Sequence, residues 1–504
     1  MSKYFNTAVY DPVYKRSDID QLLQDKMTYI AGDFWGIQNF IFDGLTTKNA
    51  AKVLRSKSAF VQIYTELLTK YICFTLSIDE KYIISNNAGK FEILVPMESV
   101  DIKNIQEKVD DYFIKNFFGL SGISIVSLSL TKDDWTKNYK AFRDTLAINI
   151  ENAKYQKFNL LKQTPILEYD TNLDNQTLCK VCNIRKIEDE NCHTCNTFIE
   201  LGKKLTQKQA QEIYADELGI FFDDFNPKIK LDNRIKSYIP NNDYGKPLSF
   251  SDIANNSCNN NENGIKALGI LKADVDSMGN FIKQSNVIQS FENFDEFSKG
   301  IDAFFSLYIP KLLRAQYRNI YTVFAGGDDL FLVGAWDQIM QFSRIIQEEF
   351  KTYVNYNKTK LSISFGISIA KPATPISYLA GHTEELLEAS KDLDGKDGLS
   401  IWSESVKWKS YIEVYTNLEQ IFQNYQNLET VTVYRFLEFC NMSKNVASDI
   451  KNSMWKSKLN YLFSRNMNMD KDKELLMGLD KYISQNPSET KIYLSEFVYK
   501  RRAV

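Results

Sequence analysis

Two short acidic segments carry the most specific chemistry in the sequence: Asp274-Val-Asp276 at the end of one apolar run, and Gly326-Gly-Asp-Asp329 between two others. Metal-dependent nucleotidyl transfer needs hard carboxylate oxygens on neighbouring strands, where divalent ions can bridge them and a triphosphate. Asp274, Asp328 and Asp329 are therefore the expected catalytic set and the expected ligands of Mg2+ or Mn2+, while Gly326 and Gly327 permit a tight turn and close approach of phosphate to backbone. The two hairpin carboxylates are expected to be solvated. Downstream, a helical stretch ends at Lys391 before a glycine-containing loop, which offers Lys391, and secondly Lys396, as an ammonium facing a triphosphate. The plain alternative is a solvated lysine at a helix C-terminus.

A second cluster is Cys179-x2-Cys182-x9-Cys192-x2-Cys195, which holds four of the seven cysteines. Paired CxxC knuckles suit a closed, structural tetrahedral Zn2+ site, with redox pairing as the alternative. Histidine is confined to His193 and His382. A hydrolase built on His-Asp metal ligands has no place here.

The elements needed to position the carboxylates recur. Phe40 and Phe281 are 241 apart and Val95 and Val333 are 238 apart within similar patterns, which reads as an internal duplication. In the second copy a strand to Asp274 precedes a helix through Phe297, Ile301, Phe304, Phe305, Tyr308 and Leu312, then the Gly326-Gly327 hairpin, a helix through Ile339, Phe342, Ile346 and Phe350, and an alternating strand from Leu361 to Ile369. That order is βαββαβ, the ferredoxin-like arrangement of polymerase palms and nucleotide cyclases. The first copy repeats it, but its hairpin reads Asn86-Asn-Ala-Gly89 in place of GGDD. Its palm is expected not to catalyse, with Asp33, Gly36 and Gly89 holding a second nucleotide. Arg55 and Lys57 lie near the same edge, with a solvated helix face as the plain reading.

At roughly 150 residues per domain, 504 residues give three or four domains. The expected class is α+β, divided as 1–160 (degenerate palm), 161–263 (linker with the four-Cys site), 264–405 (GGDD palm) and 406–504 (helical bundle). An asparagine-rich run at 255–264 reads as a mobile linker. The 61 basic and 64 acidic residues leave a net charge of −3, so RNA contact must come from local patches or partner subunits. Lys456, Lys458 and Arg465, and Lys500 to Arg502, are candidates, although solvation is the ordinary role of such runs. With no signal-like N-terminus and no run of 18 apolar residues, neither export nor a membrane span is supported, and the cytoplasm is the expected compartment.

Together, Gly32-Asp-Phe-Trp-Gly-Ile-Gln-Asn-Phe-Ile-Phe42, the degenerate hairpin, the cysteine knuckles, the Asp274 and GGDD motifs and the helical tail resemble the large signature subunit of type III CRISPR effector complexes, more the Csm than the Cmr version. The resemblance covers nearly the whole chain. It implies two palms facing each other around a pair of ATP molecules, with Asp274, Asp328 and Asp329 polymerising ATP into cyclic oligoadenylates when the guide-loaded complex binds target RNA. The implied partners are guide RNA, target RNA, the small subunit and the subunit capping the guide 5′ handle. It departs from many members in lacking the N-terminal HD nuclease domain, so HD activity is not expected. Two other readings are a non-catalytic RNA-binding scaffold and a GGDEF-type diguanylate cyclase. The latter predicts an acidic residue and then Phe after the first hairpin Asp, whereas Asp329 is followed by Leu330-Phe331.

Overall fold

The structure is a computed structural model that describes residues 19 and 21–502, apart from 43–44, 46–48, 88, 157–177, 188, 208–210, 232–234, 236–237, 261–262, 357–358 and 468–470. The N-terminal segment, Ala88 of the first hairpin, residues 157–158 at the end of the helical stretch after the first palm and residues 261–262 of the asparagine run lie outside the described residues.

The first palm is built from β1 (Lys26–Trp35), α1 (Ile37–Phe42), α2 (Ala50–Thr75), β2 (Ile83–Asn87), β3 (Lys90–Val95), α3 (Lys103–Phe117) and β4 (Gly122–Thr131), with strand order β2-β3-β1-β4, all antiparallel. Both faces of β1 are apolar because both are covered. Ile30 and Phe34 pack with α2 and α3, while Tyr29 and Ala31 pack with Tyr139 and Phe142 of α4 (Tyr139–Tyr155) and with Phe291 of the second palm.

The linker region follows. Helix α5 (His193–Lys204) lies against α2, and so does β6 (Lys228–Lys230), which pairs with β5 (Glu212–Tyr214). Arg55, read from sequence as a surface cation, is instead buried: its guanidinium donates to the Gly202 carbonyl at 2.9 Å and lies over the Tyr321 ring. The asparagine run is not a loose linker over its first half. Ser257–Asn260 forms a 3-10 turn, and the buried Ser257 hydroxyl donates to the Ala267 carbonyl at 2.9 Å.

The second palm repeats the topology in β7 (Leu268–Val275), α6 (Met278–Gln284), α7 (Phe291–Ala303), α8 (Ile309–Gln316), β8 (Ile320–Gly326), β9 (Asp329–Ala335), α9 (Trp336–Tyr356) and β10 (Ile363–Ala370). Its sheet continues through β11 (Gly398–Ile401) and β12 (Glu404–Lys407), in the order β12-β11-β10-β7-β9-β8, and α10 (Ile376–Lys391) joins β10 to β11. The helix expected through Phe297 to Leu312 is interrupted by a π turn at Phe304–Tyr308, which lets the adjacent Phe304 and Phe305 both enter the core. Leu271, Ala273, Leu330 and Leu332 face these helices, while Leu268, Ile270, Phe331 and Val333 face the first palm.

Among the described residues five α-helices follow: α11 (Trp408–Phe422), α12 (Thr430–Lys444), α13 (Trp455–Asn466), α14 (Lys473–Gln485) and α15 (Pro487–Arg501), around Leu418, Phe436, Phe463, Leu479 and Leu494. Among the described residues, no helix is long and apolar enough to cross a membrane.

Candidate active site

The antiparallel register of β7 on β9 places Asp274 directly opposite Asp329. Because strand side chains alternate, Lys272, Asp274, Asp329 and Phe331 share the face turned toward the first palm. Asp328 sits in the hairpin turn next to Gly327, whose φ of 63° favours a residue without Cβ. The Gly327 amide donates to Asp302 Oδ1 of α7 at 3.1 Å, so a half-buried carboxylate fixes the turn. Sequence reading missed Asp302, which carries no motif of its own. Lys391, at the end of α10, reaches Asp274 Oδ2 at 2.7 Å and Glu388 Oε1 at 3.2 Å.

The hairpin carboxylates are not freely solvated, contrary to expectation. Burial, followed by the nearby Asp274 and Asp328 charges, pushes Asp329 up to about 7 despite opposition from Lys272. Burial and then Asp274 also raise Asp328, while Lys90 of the first palm and Lys391 pull it down. Lys272 is buried beneath the cluster, paired with Glu384 of α10, and lowered to about 8 by that burial. Asp276 has a different use. Its Oδ2 accepts from the Ser362 hydroxyl at 2.7 Å and from the Asp397 amide at 3.0 Å, tying the loop after α10 to the sheet. Lys396 sits in that loop with a left-handed backbone, its carbonyl accepting from Lys407 Nζ. The structure brings Lys391, and not Lys396, into an ion pair with the carboxylates.

The first copy repeats this device with one reversal of charge. Asp33 is the register partner of Lys90, as Asp274 is of Asp329, so Lys90 occupies the place of the second hairpin carboxylate. Aligning Asn86-Asn-Ala-Gly89 with GGDD is one residue out of step. Lys154, at the end of α4, reaches Asp33 Oδ2 at 2.9 Å and also pairs with Glu151, just as Lys391 pairs with Asp274 and Glu388. The shared Glu-x-x-Lys spacing, Glu151 to Lys154 and Glu388 to Lys391, was the sequence signal that could have found it. Gly89 has φ 94° and its carbonyl accepts from the Phe34 amide at 2.7 Å, while Gly36, at φ 71°, turns β1 into α1.

The two copies meet over a cavity of about 390 Å³, lined by Asn39 and Phe42 of α1 on one side and Lys272, Phe331, Ser377 and Glu384 on the other. Phe42 and Phe331 pack with ring centroids 4.5 Å apart. The cavity is of the size that takes a small ligand. The three carboxylates, two of them pushed up by burial and like charge, are a hard-oxygen donor set that fits Mg2+ or Mn2+.

Comparison with known proteins agrees with this architecture. Residues 267–400 match the second palm domain of Cas10/Cmr2, and residues 26–172 match Csm1 subunit domain B. A subtype III-A Cas10/Csm1 protein of Enterococcus italicus, described as a CRISPR system single-strand-specific deoxyribonuclease, is 23% identical over 95% of this chain and 69% of its own length. The chain belongs to the Cas10/Csm1 family of type III-A CRISPR large subunits. Two solved structures share the fold over 95% of this chain and 70% of theirs: a Csm1-Csm4 cassette in complex with cA4 (18% identity, TM-score 0.70) and one with one ATP (19% identity, TM-score 0.70). The second-palm match spans Asp274, the GGDD hairpin and Lys391, and the domain B match spans Asp33, Lys90 and Lys154.

Cys179, Cys182, Cys192 and Cys195 fall between the two matched spans of this family member. All four thiols are buried with their Sγ atoms within 4.8 Å of one another, and those of Cys182 and Cys192 are 3.9 Å apart. A tetrahedral ion at about 2.3 Å from each sulfur demands separations of about 3.8 Å, so the set fits Zn2+. Cys192 also caps α5, its Sγ accepting from the Cys195 amide. The knuckles therefore set the position of the helix that packs on α2 of the first palm.

Proposed function

We propose that this chain is the cyclic oligoadenylate synthase subunit of a type III CRISPR effector complex. The observation that carries this reading is the convergence of Asp274, Asp328, Asp329 and Lys391, with Asp274 and Asp329 on the same strand face as Lys272 and Phe331, which line a cavity between the two palms. The interpalm space would take two ATP molecules: the 3′-hydroxyl of one attacks the α-phosphorus of the other, a 3′-5′ phosphodiester forms, and pyrophosphate leaves. Asp274, Asp328 and Asp329 would hold the divalent ions, whose contribution when bound is to favour the 3′-alkoxide and to offset charge on the leaving pyrophosphate. Gly326 and Gly327 let a phosphate approach the backbone of the turn. Lys391 exchanges its Asp274 partner for a phosphate oxygen, so one ammonium serves the cluster with and without nucleotide.

In the first palm Lys90 stands where a second carboxylate would be needed. That palm binds the other ATP through Lys154 and Lys90 rather than catalysing, with Asp33 steering Lys154. The relatives solved with ATP and with cA4 support ATP as substrate and a cyclic adenylate as product, and the relatives' Csm4 supports a partner in the position of the guide-capping subunit. Guide RNA, target RNA and the small subunit complete the proposed assembly, in the cytoplasm, with Zn2+ in a structural role. The deciding experiment incubates the assembled complex with target RNA, labelled ATP and Mg2+ or Mn2+. Cyclic oligoadenylate is the expected product; its absence under activating conditions leaves an RNA-binding scaffold as the better reading.

A further inference from the structure

A cleft of about 680 Å³ lies between α12 and α13 of the C-terminal bundle. Its walls carry Arg435 and Glu438 from α12 and Ser457, Lys458, Tyr461 and Arg465 from α13. Lys458, Tyr461 and Arg465 recur at helical spacing and so share one face, running about 10 Å along the helix axis. All four wall residues Arg435, Lys458, Tyr461 and Arg465 are exposed, and Tyr461 retains 60% of its surface. The Arg465 guanidinium donates to the Tyr461 hydroxyl at 2.6 Å and lies 5.8 Å from the ring centroid. Lys458 is only loosely engaged, 3.8 Å from Glu438.

The charge here runs against the rest of the chain. Residues 430–466 contain six basic and two acidic side chains, in a protein of net charge −3. We infer that the α12–α13 cleft binds a single-stranded polynucleotide, its phosphates held by Arg435, Lys458 and Arg465 and one base stacked on Tyr461. Spaced cations beside an exposed ring are the elements of strand binding without sequence readout, since every base has a face to stack and every phosphate a charge to neutralise. Ser457 adds a hydroxyl suited to phosphate or sugar oxygens. A protein partner is the weaker occupant, because lysine and glutamate are depleted at the centres of protein interfaces, whereas here they form the walls. The inference stands apart from the catalytic reading: the cleft contains none of the residues assigned to ATP.

The test titrates the full chain with a short labelled single strand of mixed sequence, in RNA and DNA arms of the same sequence, at several salt concentrations. The Arg435→Gln, Lys458→Gln, Arg465→Gln triple variant should weaken binding at least tenfold and flatten the slope of log affinity against log salt by about 2, and Tyr461→Ala should weaken binding with the slope unchanged. Lys132→Gln, an exposed lysine on the first palm, serves as the control and should bind as the parent does. Thermal melts matching the parent show that the variants fold. Binding in either arm that depends on the cleft supports the inference and identifies the sugar. A triple variant that binds both strands as tightly as the parent overturns it, as does unchanged strand binding accompanied by loss of the small subunit from the assembled complex, which would make the face a protein interface. Failure of ATP turnover leaves this measurement untouched.

Discussion

Asp328 and Asp329, beside Asp274, are held where burial and like charge oppose full ionisation, the condition in which a divalent ion gains most from arriving. Replacing Asp328 and Asp329 by Ala is expected to lower oligoadenylate formation by the assembled complex about a hundredfold or more, equivalent to about 3 kcal/mol in the barrier. The same variant should fold. A carboxyl raised from 3.8 toward 7 holds its proton in the folded chain while the unfolded chain gives it up, so its cost to folding is absent below about pH 4, grows as pH rises toward 7 and is fully present at pH 8. Metal-free protein at pH 8 should therefore melt no lower in the double variant than in the parent, and a lower melt combined with full activity would remove the hairpin from the mechanism. Lys154→Ala in the first palm should reduce the rate only in part and raise the ATP concentration needed, read from the rate as a function of ATP. The second-palm residues were legible because their types are rare in that combination and each lies at the end of an apolar run. Lys154 and Lys90 were not, since a lysine is informative only once the strand register shows which carboxylate it faces.

At the level of elements, hydrophobic spacing revealed both βαββαβ units, because the helices bury one apolar face and the central strands are covered on both. Three features escaped it. The π turn at Phe304–Tyr308 shifts the helical phase by a residue, the asparagine run folds over Ser257 through a hydroxyl that hydropathy does not register, and the first hairpin is one residue out of step with the second. The cysteine knuckles were readable from spacing alone, as their ligands are close in sequence. We expect one Zn2+ per chain by metal analysis of freshly reduced protein. Serine at all four positions should release it and expose the segment 179–204 to proteolysis, because the knuckles lose the ion that cross-links them, even though a serine at position 192 can still cap α5. Parent-like protease resistance in that variant would show that packing alone holds the linker.

Over the whole molecule, α15 ties the helical bundle to the GGDD palm, a connection that no local sequence pattern foretold because it joins residues more than 150 apart. The backbone amide of Ile265, just before β7, donates to the Tyr499 carbonyl at 2.9 Å, and Tyr499 packs edge-on against Trp336. Beside them the Arg344 guanidinium of α9 forks onto Glu496, at 2.9 and 3.2 Å, and Lys500 joins at 2.8 Å. Burial alone would raise Glu496, but Arg344 and Lys500 outweigh it and hold the carboxyl at about 2. Glu496→Gln leaves a buried guanidinium without its counter-charge and is expected to destabilise the chain by about 3 kcal/mol near neutral pH. An acid whose folded value is depressed contributes its full stability above the unfolded value, about 4.5, and loses that contribution as pH falls toward 2. Other carboxylates titrate over the same range, so the informative quantity is the gap between parent and variant. Denaturant unfolding followed from pH 7 to pH 3 should show that gap steady down to about pH 4.5 and then narrowing. A gap that stays constant across the whole range would mean that Glu496 acts through packing and not through its charge, and the ion pair would cease to account for how the bundle is held to the palm.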